Sequence, residues 1–165
     1  MKNRITVAIT GHRDMVETQE LREKVSDFFD ELIVQTKELL LLSPLADGAD
    51  RFVAEIFLEK QEKCKTLSLL VPMPFGLERY LEDFDEESKE EFLEFADRAK
   101  KVFAVERVSK SGYLDVGRYV VDESDTLLAL WDGTFNGKVG GTGDVVNYAK
   151  SLGHEVVHIL CEREG

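Results

Sequence analysis

The sequence predicts a doubly wound α/β domain, in which a mostly parallel sheet lies between two layers of helices. About six short apolar runs alternate along the 165 residues with segments whose apolar side chains recur at helical spacing. Alternation of this kind is typical of parallel strands joined by right-handed helical crossovers. The length favours a single domain over residues 1–165, because one hydrophobic core typically serves roughly 100–200 residues.

The first part of the chain is predicted to form two strand–helix pairs. Residues 4–10 (RITVAIT) are rich in β-branched residues, which favour strands, and a polar turn follows at 11–13. Residues 18–37 place apolar side chains at the spacing of one helical face. A second strand over 39–45 is nearly all leucine, as expected for a strand covered on both faces, and a helix over 50–60 follows it.

The middle of the chain is predicted to alternate in the same way, with one interruption. A third strand over 66–71 is expected to end before Pro72, because proline cannot continue a central strand. An acidic helix with an apolar stripe follows over 82–97. A short strand over 102–105 and a helix over 112–122 complete this part.

The last part of the chain carries a glycine-rich loop between a strand and a helix. An apolar run over 126–131 predicts a buried strand, and the helix after the loop begins at Thr142 or Asp144 and closes at Gly153, before a final strand over 155–161. This layout is typical of a phosphate cradle. Glycines let the backbone approach an anion closely, and the first N–H groups of the helix point at it.

Glycines and polar side chains gather at the predicted carboxyl ends of the strands, where open parallel sheets bind their ligands. The loops at the opposite edge are short and carry little chemistry. Guanidinium groups are well suited to phosphate, because they present a planar fork of donors. We therefore predict a ligand-binding site whose residues are Gly11, His12, Arg13, Gly48, Asp50, Arg51, Asp132, Gly133, Gly140, Gly141, Thr142 and Gly143.

Several of these residues also have a purely structural interpretation. Asp50 or the nearby Asp47 could cap a helix, as could Thr142. His12 could act as an acid or base, or could simply hydrogen-bond its neighbours. Asp132 could accept hydrogen bonds from a ribose diol or cap its own loop. The aromatic residues that could stack on a base are Phe75, Tyr80, Tyr113 and Trp131, although most aromatics in a domain of this size belong to the core.

The formal net charge of −12 is concentrated in one segment. Residues 82–97 contain nine acidic residues and one lysine, so the rest of the chain is only mildly acidic. This distribution predicts a solvated acidic helix face and leaves room for a small phosphorylated ligand. A long nucleic acid is not expected as a partner, because it requires a broad basic footprint.

Cysteine spacing, hydropathy and the absence of known motifs exclude several kinds of site and several classes of protein. Cys64 and Cys161 lie far apart without metal-ligand spacing, so reduced thiols and no metal site are expected. No apolar run approaches the ~20 residues of a membrane span, and no signal peptide is recognised, so a cytosolic protein without a membrane partner is expected. GxGxxG, GxxxxGK[ST] and GxSxG are missing, so we predict no dinucleotide cofactor, ATPase loop or serine nucleophile.

Three segments of the chain resemble the SLOG superfamily of Rossmann-like domains: ITGHRD, SPLADGADRFVAE and LLALWDGTFNGKVGGTGDVVNYAKSLG. That superfamily includes cytokinin-activating, lysine-decarboxylase-like proteins, the DNA-processing protein A fold, and nucleotide-sensing domains attached to TIR and other bacterial defence effectors. The chain is most similar to the stand-alone or TIR-associated branch. The resemblance implies a nucleotide-derived ligand, such as an ADP-ribose-like signal or a nucleoside phosphate, and favours a homo-oligomer. The contacts it implies are Gly11, Arg13, Gly48, Asp50, Arg51, Gly140, Gly141 and Thr142.

The chain departs from the phosphoribohydrolase members of that superfamily in their PGGxGTxxE motif. Val139 stands at the proline, Asp144 at the threonine, and Asn147 at the catalytic glutamate. An asparagine cannot act as a carboxylate base. We therefore favour a nucleotide-binding sensor domain. The alternative is a nucleoside-monophosphate N-glycosidase with Asp144, Asp50 or Asp47 as its carboxylate, and a third interpretation is a structural partner of an effector.

Overall fold

The computed structural model describes residues 1–164 and shows a six-stranded sheet in which all neighbouring strands run parallel. The strands are β1 (Lys2–Gly11), β2 (Thr36–Leu42), β3 (Leu67–Met73), β4 (Lys101–Ala104), β5 (Thr126–Trp131) and β6 (Glu155–Leu160). The helices are α1 (Gln19–Ile33), α2 (Ala49–Gln61), α3 (Leu77–Leu81), α4 (Glu86–Asp97), α5 (Gly112–Asp122) and α6 (Thr142–Ser151). The predicted three-layer α/β/α class is confirmed.

The strand order β4-β3-β2-β1-β5-β6 places the reversal of the sheet beside β1. The chain moves outward from β1 to β4, returns to the other side of β1 as β5, and continues outward to β6. β1 therefore pairs with both β2 and β5, through contacts such as Val7↔Leu41 and Val7↔Thr126. In sheets of this kind the crevice at the reversal point is open at the carboxyl ends of the strands.

Two apolar clusters cover the two faces of the sheet. Alternate residues of β1 belong to different clusters, with Val7 packed under α1 and α2 and Ala8 packed under α5 and α6. β5 alternates in the same way, since Leu128 and Trp131 lie on opposite faces. This alternation is the period of a strand buried on both faces. The sheet is thus fixed from both sides, which holds the carboxyl ends of β1 and β5 in place.

The boundary between α1 and β2 differs from the prediction. The helix ends at Ile33, and β2 begins at Thr36 rather than 39, because Thr36 pairs with Lys2 of β1. The strand also ends at Leu42, three residues earlier than predicted. Leu45 is fully buried but has a positive φ of 58°, so it belongs to a turn. A run of leucines does not show where a strand ends and a buried turn begins, because the end of a strand depends on its backbone hydrogen bonds.

β3 continues through Pro72 to Met73, so the prediction that it ends before the proline is wrong. The backbone N–H of Val105 donates to the carbonyl of Met73, which shows that Met73 faces β4. Pro72 therefore faces β2, where pairing has already ended at Leu42↔Leu70. The missing N–H of proline removes no ladder hydrogen bond at this position.

The segment between β3 and β4 contains one helix more than the sequence indicates. The short α3 precedes α4, and α4 begins only after Asp85, whose carboxylate accepts a hydrogen bond from the N–H of Ser88 as a helix cap. Tyr80 of α3 and Phe92 of α4 are fully buried against the core. No helix within residues 1–164 is long and apolar enough to cross a membrane.

Candidate functional site

A cavity of about 430 Å³ opens at the carboxyl ends of the strands beside the reversal point. Its walls come from the end of β1 and the turn after it, the start of α2, α3, α5 and the glycine loop before α6. Small-molecule sites typically have volumes of roughly 300–1,000 Å³. The lining residues are Ile9, Thr10, Gly11, His12, Arg13, Asp14, Pro44, Ala46, Asp50, Tyr80, Ser111, Tyr113, Val116, Gly117, Val120, Thr134, Asn136, Lys138, Val139, Gly140, Gly141, Thr142, Gly143, Val145 and Arg163.

The N-terminus of α6 has unpaired backbone donors beside this cavity, which Thr142 and Gly143 line. The N–H groups of Thr142, Gly143 and Asp144 have no acceptor among residues 1–164. The loop before them turns at Gly140, whose φ of +77° is a conformation that suits glycine. Unpaired N–H groups and the positive end of the helix dipole together favour an anion here.

Asp144 is committed to holding the glycine loop in shape. Its carboxylate accepts a hydrogen bond from the N–H of Gly140 at 2.9 Å and lies 3.3 Å from Nη2 of Arg118. Arg118 in turn lies over the ring of Tyr148, 4.2 Å from its centroid. Asn147, which stands at the glutamate position of the hydrolase motif, is exposed and does not line the cavity. The helix start therefore offers backbone donors rather than a carboxylate.

Arg13 and Lys138 are the cavity-lining cations without a carboxylate within 4.0 Å among residues 1–164. The guanidinium of Arg13 lies over the ring of Tyr113, 5.1 Å from its centroid, which orients it on the cavity wall. A third cation, Arg163, is paired with Asp14 at 2.9 Å. The positive charge of Arg13 is therefore available to a ligand.

His12 and Asp132 bond to each other beside the cavity. Nε2 of His12 lies 3.2 Å from both the backbone nitrogen and a carboxylate oxygen of Asp132. The N–H and hydroxyl of Thr134 donate to the same carboxylate, and these bonds lower the pKa of Asp132 to about 2. His12 lines the cavity, whereas Asp132 and Gly133 do not. Asp132 could bind a ribose diol or cap its own loop, and its contacts with Thr134 match the loop cap.

Arg51 lies outside the cavity, in a buried contact between α2 and α4. Its side chain is only 5% exposed, and its Nε donates to the carbonyl of Leu45 at 2.9 Å. Nη1 donates to the hydroxyl of Ser88 at 2.8 Å and lies within 3.1 Å of the carboxylates of Asp47 and Glu91. Arg51 and Asp47 thus bind each other and α4 rather than facing the cavity.

Gly11 and Gly48 pack the turn after β1 against the start of α2. A Cβ at Gly11 would lie 2.3 Å from the Cβ of Ala49, and one at Gly48 would lie 2.4 Å from the carbonyl oxygen of Arg13. The N–H of Ala49 donates to the carbonyl of His12 across this contact. The two glycines therefore bring Arg13 close to the first turn of α2.

Asp50 is the buried acid of the cavity wall. It is 7% exposed, and its Oδ2 accepts a hydrogen bond from the N–H of Ala46 at 3.1 Å. Burial disfavours the ionised form and raises the pKa of Asp50 to about 7. Near neutral pH the site therefore contains a carboxyl group that changes its charge easily.

This raised pKa predicts a pH-dependent stability. The folded protein holds the Asp50 proton up to about pH 7, whereas the unfolded chain releases it near the ordinary aspartate pKa of 3.8. The stabilisation is complete below pH 3.8 and is lost as pH rises through 7, since the folded state binds more protons in this window. Between pH 3.8 and 7 the unfolding free energy of the wild-type protein is expected to fall by an amount on the order of 3 kcal/mol. The Asp50→Asn variant is expected to lack this fall. Urea titrations of both proteins at pH 4.5 and 7.5 measure this difference. The same change of unfolding free energy with pH in both proteins would contradict the prediction.

The structure brings together one part of the predicted site and leaves another part outside it. Gly11, His12, Arg13, Asp50 and the run 140–143 line one cavity. The predicted residues outside its lining are Gly48, Arg51, Asp132 and Gly133, and the catalytic candidates Asp47 and Asp144. Among residues 1–164, no group of three or more histidine, cysteine, aspartate or glutamate side chains could hold a metal ion.

Lys138 and Arg163 were not predicted as site residues. Lys138 lies within the predicted glycine loop, so the sequence could have indicated it as a site residue. Arg163 reaches the cavity because its backbone bridges to Met15 in the turn after β1. That contact joins distant parts of the chain, so it cannot be predicted from the residues near Arg163 in sequence.

No family model matches the chain, and no curated protein sequence matches it. Among solved structures, DNA processing protein A from Helicobacter pylori is similar, with a TM-score of 0.60 and 17% sequence identity. The match covers 93% of this chain and 64% of that one, so this chain spans less than two thirds of its structural relative. At this identity the likeness shows a shared Rossmann-like fold. That protein binds single-stranded DNA.

Proposed function

We propose that this domain binds a nucleotide or nucleotide sugar by its phosphates and acts as a sensor of that ligand. The observation that carries the proposal is the set of unpaired N–H groups at Thr142, Gly143 and Asp144, at the edge of a cavity that also contains Arg13. Backbone donors at a helix start bind phosphate without any charged side chain. The guanidinium of Arg13 in the same cavity adds a charge-assisted bond.

The charge around the cavity is compatible with an anionic ligand despite the acidic composition. Within residues 1–164, only Asp14 and Asp50 contribute lining carboxyl groups, and Asp14 is neutralised by Arg163. The acidic residues of 82–97 lie mainly on α4, outside the cavity lining. Exposed charges more than about 10 Å away are largely screened at ordinary ionic strength. The positive part of the local field comes from Arg13, Lys138 and the dipole of α6. Asp50 in the lining and Asp83, which bonds to Tyr113, are the carboxyl groups that oppose it.

The remaining wall is apolar and has room for a base or a sugar. Ile9 of β1 and Val116, Val120 and Val145 of the helices line it, together with the ring of Tyr113. Nucleotide sites commonly combine such a surface with a few polar groups that fix orientation. This combination favours a ligand with a phosphate at one end and a flat or sugar-like group at the other.

Single-stranded DNA is a second candidate ligand, because the similar Helicobacter protein binds it. An extended strand requires a basic groove with repeated stacking platforms. Beside the cavity, however, the hydroxyl of Tyr113 bonds to the carboxylate of Asp83, and Asp83 belongs to the acidic segment 82–97. A neighbouring acidic surface opposes a long phosphate backbone. We therefore favour a mononucleotide-sized ligand.

Hydrolysis of an N-glycosidic bond is the enzymatic alternative. It requires a carboxyl group near the sugar, and Asp50 is the lining carboxyl without an ion pair within 4.0 Å among residues 1–164. Chromatography of a nucleotide panel after incubation detects any free base. Release of base that Asp50→Asn abolishes would favour the enzyme over the sensor.

Calorimetric titration tests the proposed function. We expect saturable binding of at least one member of a panel of nucleoside monophosphates, nucleoside diphosphates and ADP-ribose. We expect its affinity to fall with added salt, because charge-assisted contacts are screened. A thymidine 12-mer serves as the comparison. Binding of the 12-mer with no binding of any small nucleotide at millimolar concentration would overturn the proposal in favour of DNA.

A further inference from the structure

Asp50 occupies a position that the binding of phosphate does not explain. It lies at the start of α2 and, with Asp14, is one of the two carboxyl residues among 1–164 that line the cavity. The other, Asp14, is paired with Arg163. Asp50 has no ion pair within 4.0 Å in the part of the chain that the structure describes.

The hydrogen bonds of Asp50 leave one carboxyl oxygen unused. Oδ2 accepts from the N–H of Ala46, whereas Oδ1 has no hydrogen-bond partner among residues 1–164. A carboxylate can accept about four hydrogen bonds through its two oxygens. Oδ1 is not fully buried, so a group that enters the cavity can reach it and donate a hydrogen bond to it.

The charged and titratable neighbours of Asp50 form no hydrogen bond with its Oδ1. They are Arg13 from the turn after β1, Arg51 from α2 and Tyr80 from α3. The hydroxyl of Tyr80 donates to the carbonyl of Pro44 at 2.8 Å. Arg51 is bound to Leu45 and to α4. Arg13 lies over the ring of Tyr113 and forms no ion pair with Asp50 within 4.0 Å.

The chemistry of a carboxyl group at this point selects hydroxyl groups. In its ionised form Asp50 repels a phosphate but accepts hydrogen bonds from neutral donors. In its protonated form it donates one hydrogen bond and still accepts through the other oxygen. A sugar diol satisfies both forms, because each hydroxyl can donate or accept. The structure also removes Asp132 as the rival for this role, since Asp132 caps its own loop.

We propose that Asp50 binds the sugar hydroxyls of the phosphorylated ligand, so that the site selects ribonucleotides over nucleotides that lack these hydroxyls. This inference rests on the proposed function. The phosphate lies at the start of α6, and the sugar lies between it and the first turn of α2. Such a site also discriminates against DNA, whose sugars lack the 2′-hydroxyl.

The test compares each of AMP, GMP, CMP and UMP with its 2′,3′-dideoxy counterpart by calorimetry. We expect the wild-type protein to bind at least one ribonucleotide about 10–100-fold more tightly than the dideoxy form, since hydrogen bonds to a charged or buried carboxyl carry this discrimination. In Asp50→Ala the ratio is expected to fall close to one. Glu55→Ala, which removes an exposed carboxylate from the same helix, is the matched control and should keep the wild-type ratio.

The outcomes separate this inference from the proposed function. If wild-type protein binds both forms equally, or if Asp50→Ala retains the ratio, the inference is overturned and nucleotide binding stands. If no nucleotide binds, the proposed function is overturned and the inference falls with it. Asp50→Asn covers the case in which the alanine variant fails to fold. It preserves the shape and the acceptor for Ala46 but puts an amide that only donates in place of Oδ1, so it is expected to reduce the ratio at least about threefold.

Discussion

Replacing Arg13 by alanine is expected to weaken nucleotide binding by about 10–100-fold, because a hydrogen bond to a charged group contributes about 1.5–3 kcal/mol. Arg13 lines the cavity with no carboxylate partner within 4.0 Å among residues 1–164, so its charge is not already neutralised. The ring of Tyr113, 5.1 Å away, limits its motion and reduces the cost of ordering it on binding. Calorimetric titration of the variant with the tightest nucleotide measures the loss.

Two further variants control this prediction. Arg13→Lys keeps the charge but loses the planar fork, so an intermediate affinity is expected. Arg4→Ala removes an exposed arginine near the start of β1, far from the turn that holds Arg13, where it pairs with Glu38. That variant should bind like the wild type. Wild-type affinity in Arg13→Ala would show that the turn after β1 does not contact the ligand.

Replacing Arg51 by alanine is expected to lower the free energy of unfolding by about 3 kcal/mol, because the buried carbonyl of Leu45 and the partly buried Ser88 lose their donor and the packing of the guanidinium is lost. The guanidinium bonds to the carbonyl of Leu45 and to Ser88, and it lies 4.7 Å from the centroid of the Phe84 ring. These contacts hold α4 and the segment before it against the start of α2. For a domain of this length, the loss corresponds to a melting temperature lower by ~6–12 °C.

The control for Arg51 is an arginine in exposed ion pairs. Arg22 of α1 lies 3.4 Å from Glu55 and 3.8 Å from Glu59, and Arg22→Ala is expected to cost at most about 1 kcal/mol. The folded fraction of Arg51→Ala should bind nucleotide with nearly wild-type affinity. A variant with normal stability and lost binding would instead place Arg51 at the ligand, as the resemblance to the SLOG superfamily implies.

The fold was predictable because its main signal is local and repeated. Apolar runs alternating with helical periodicity require only near neighbours to be recognised, and they gave the order of the six strands along the chain. Pairing between strands is not local, so the ends of the elements were less predictable. Pro72 lies within β3 only because β2 ends before reaching it, and no pattern around the proline records this.

The site was predictable to the extent that it follows from strand ends. Arg13 and Arg51 both lie within six residues of a predicted strand end, so the sequence offered no means of separating them. The structure separates them, since Arg13 lines the cavity while Arg51 is directed to Ser88 and Glu91 of α4. The helix α4 is far away in sequence. Its arrival beside α2 is a tertiary contact that single-residue chemistry does not reveal.

The most direct test of phosphate binding at the start of α6 is a nucleotide titration followed by amide NMR. We predict that the N–H resonances of Thr142, Gly143 and Asp144 shift more than any others, because these three donors have no acceptor within residues 1–164. Each should move downfield as it donates to the phosphate. Saturable binding that leaves these three amides unmoved, or that shifts resonances only on the acidic helix α4, would contradict the account.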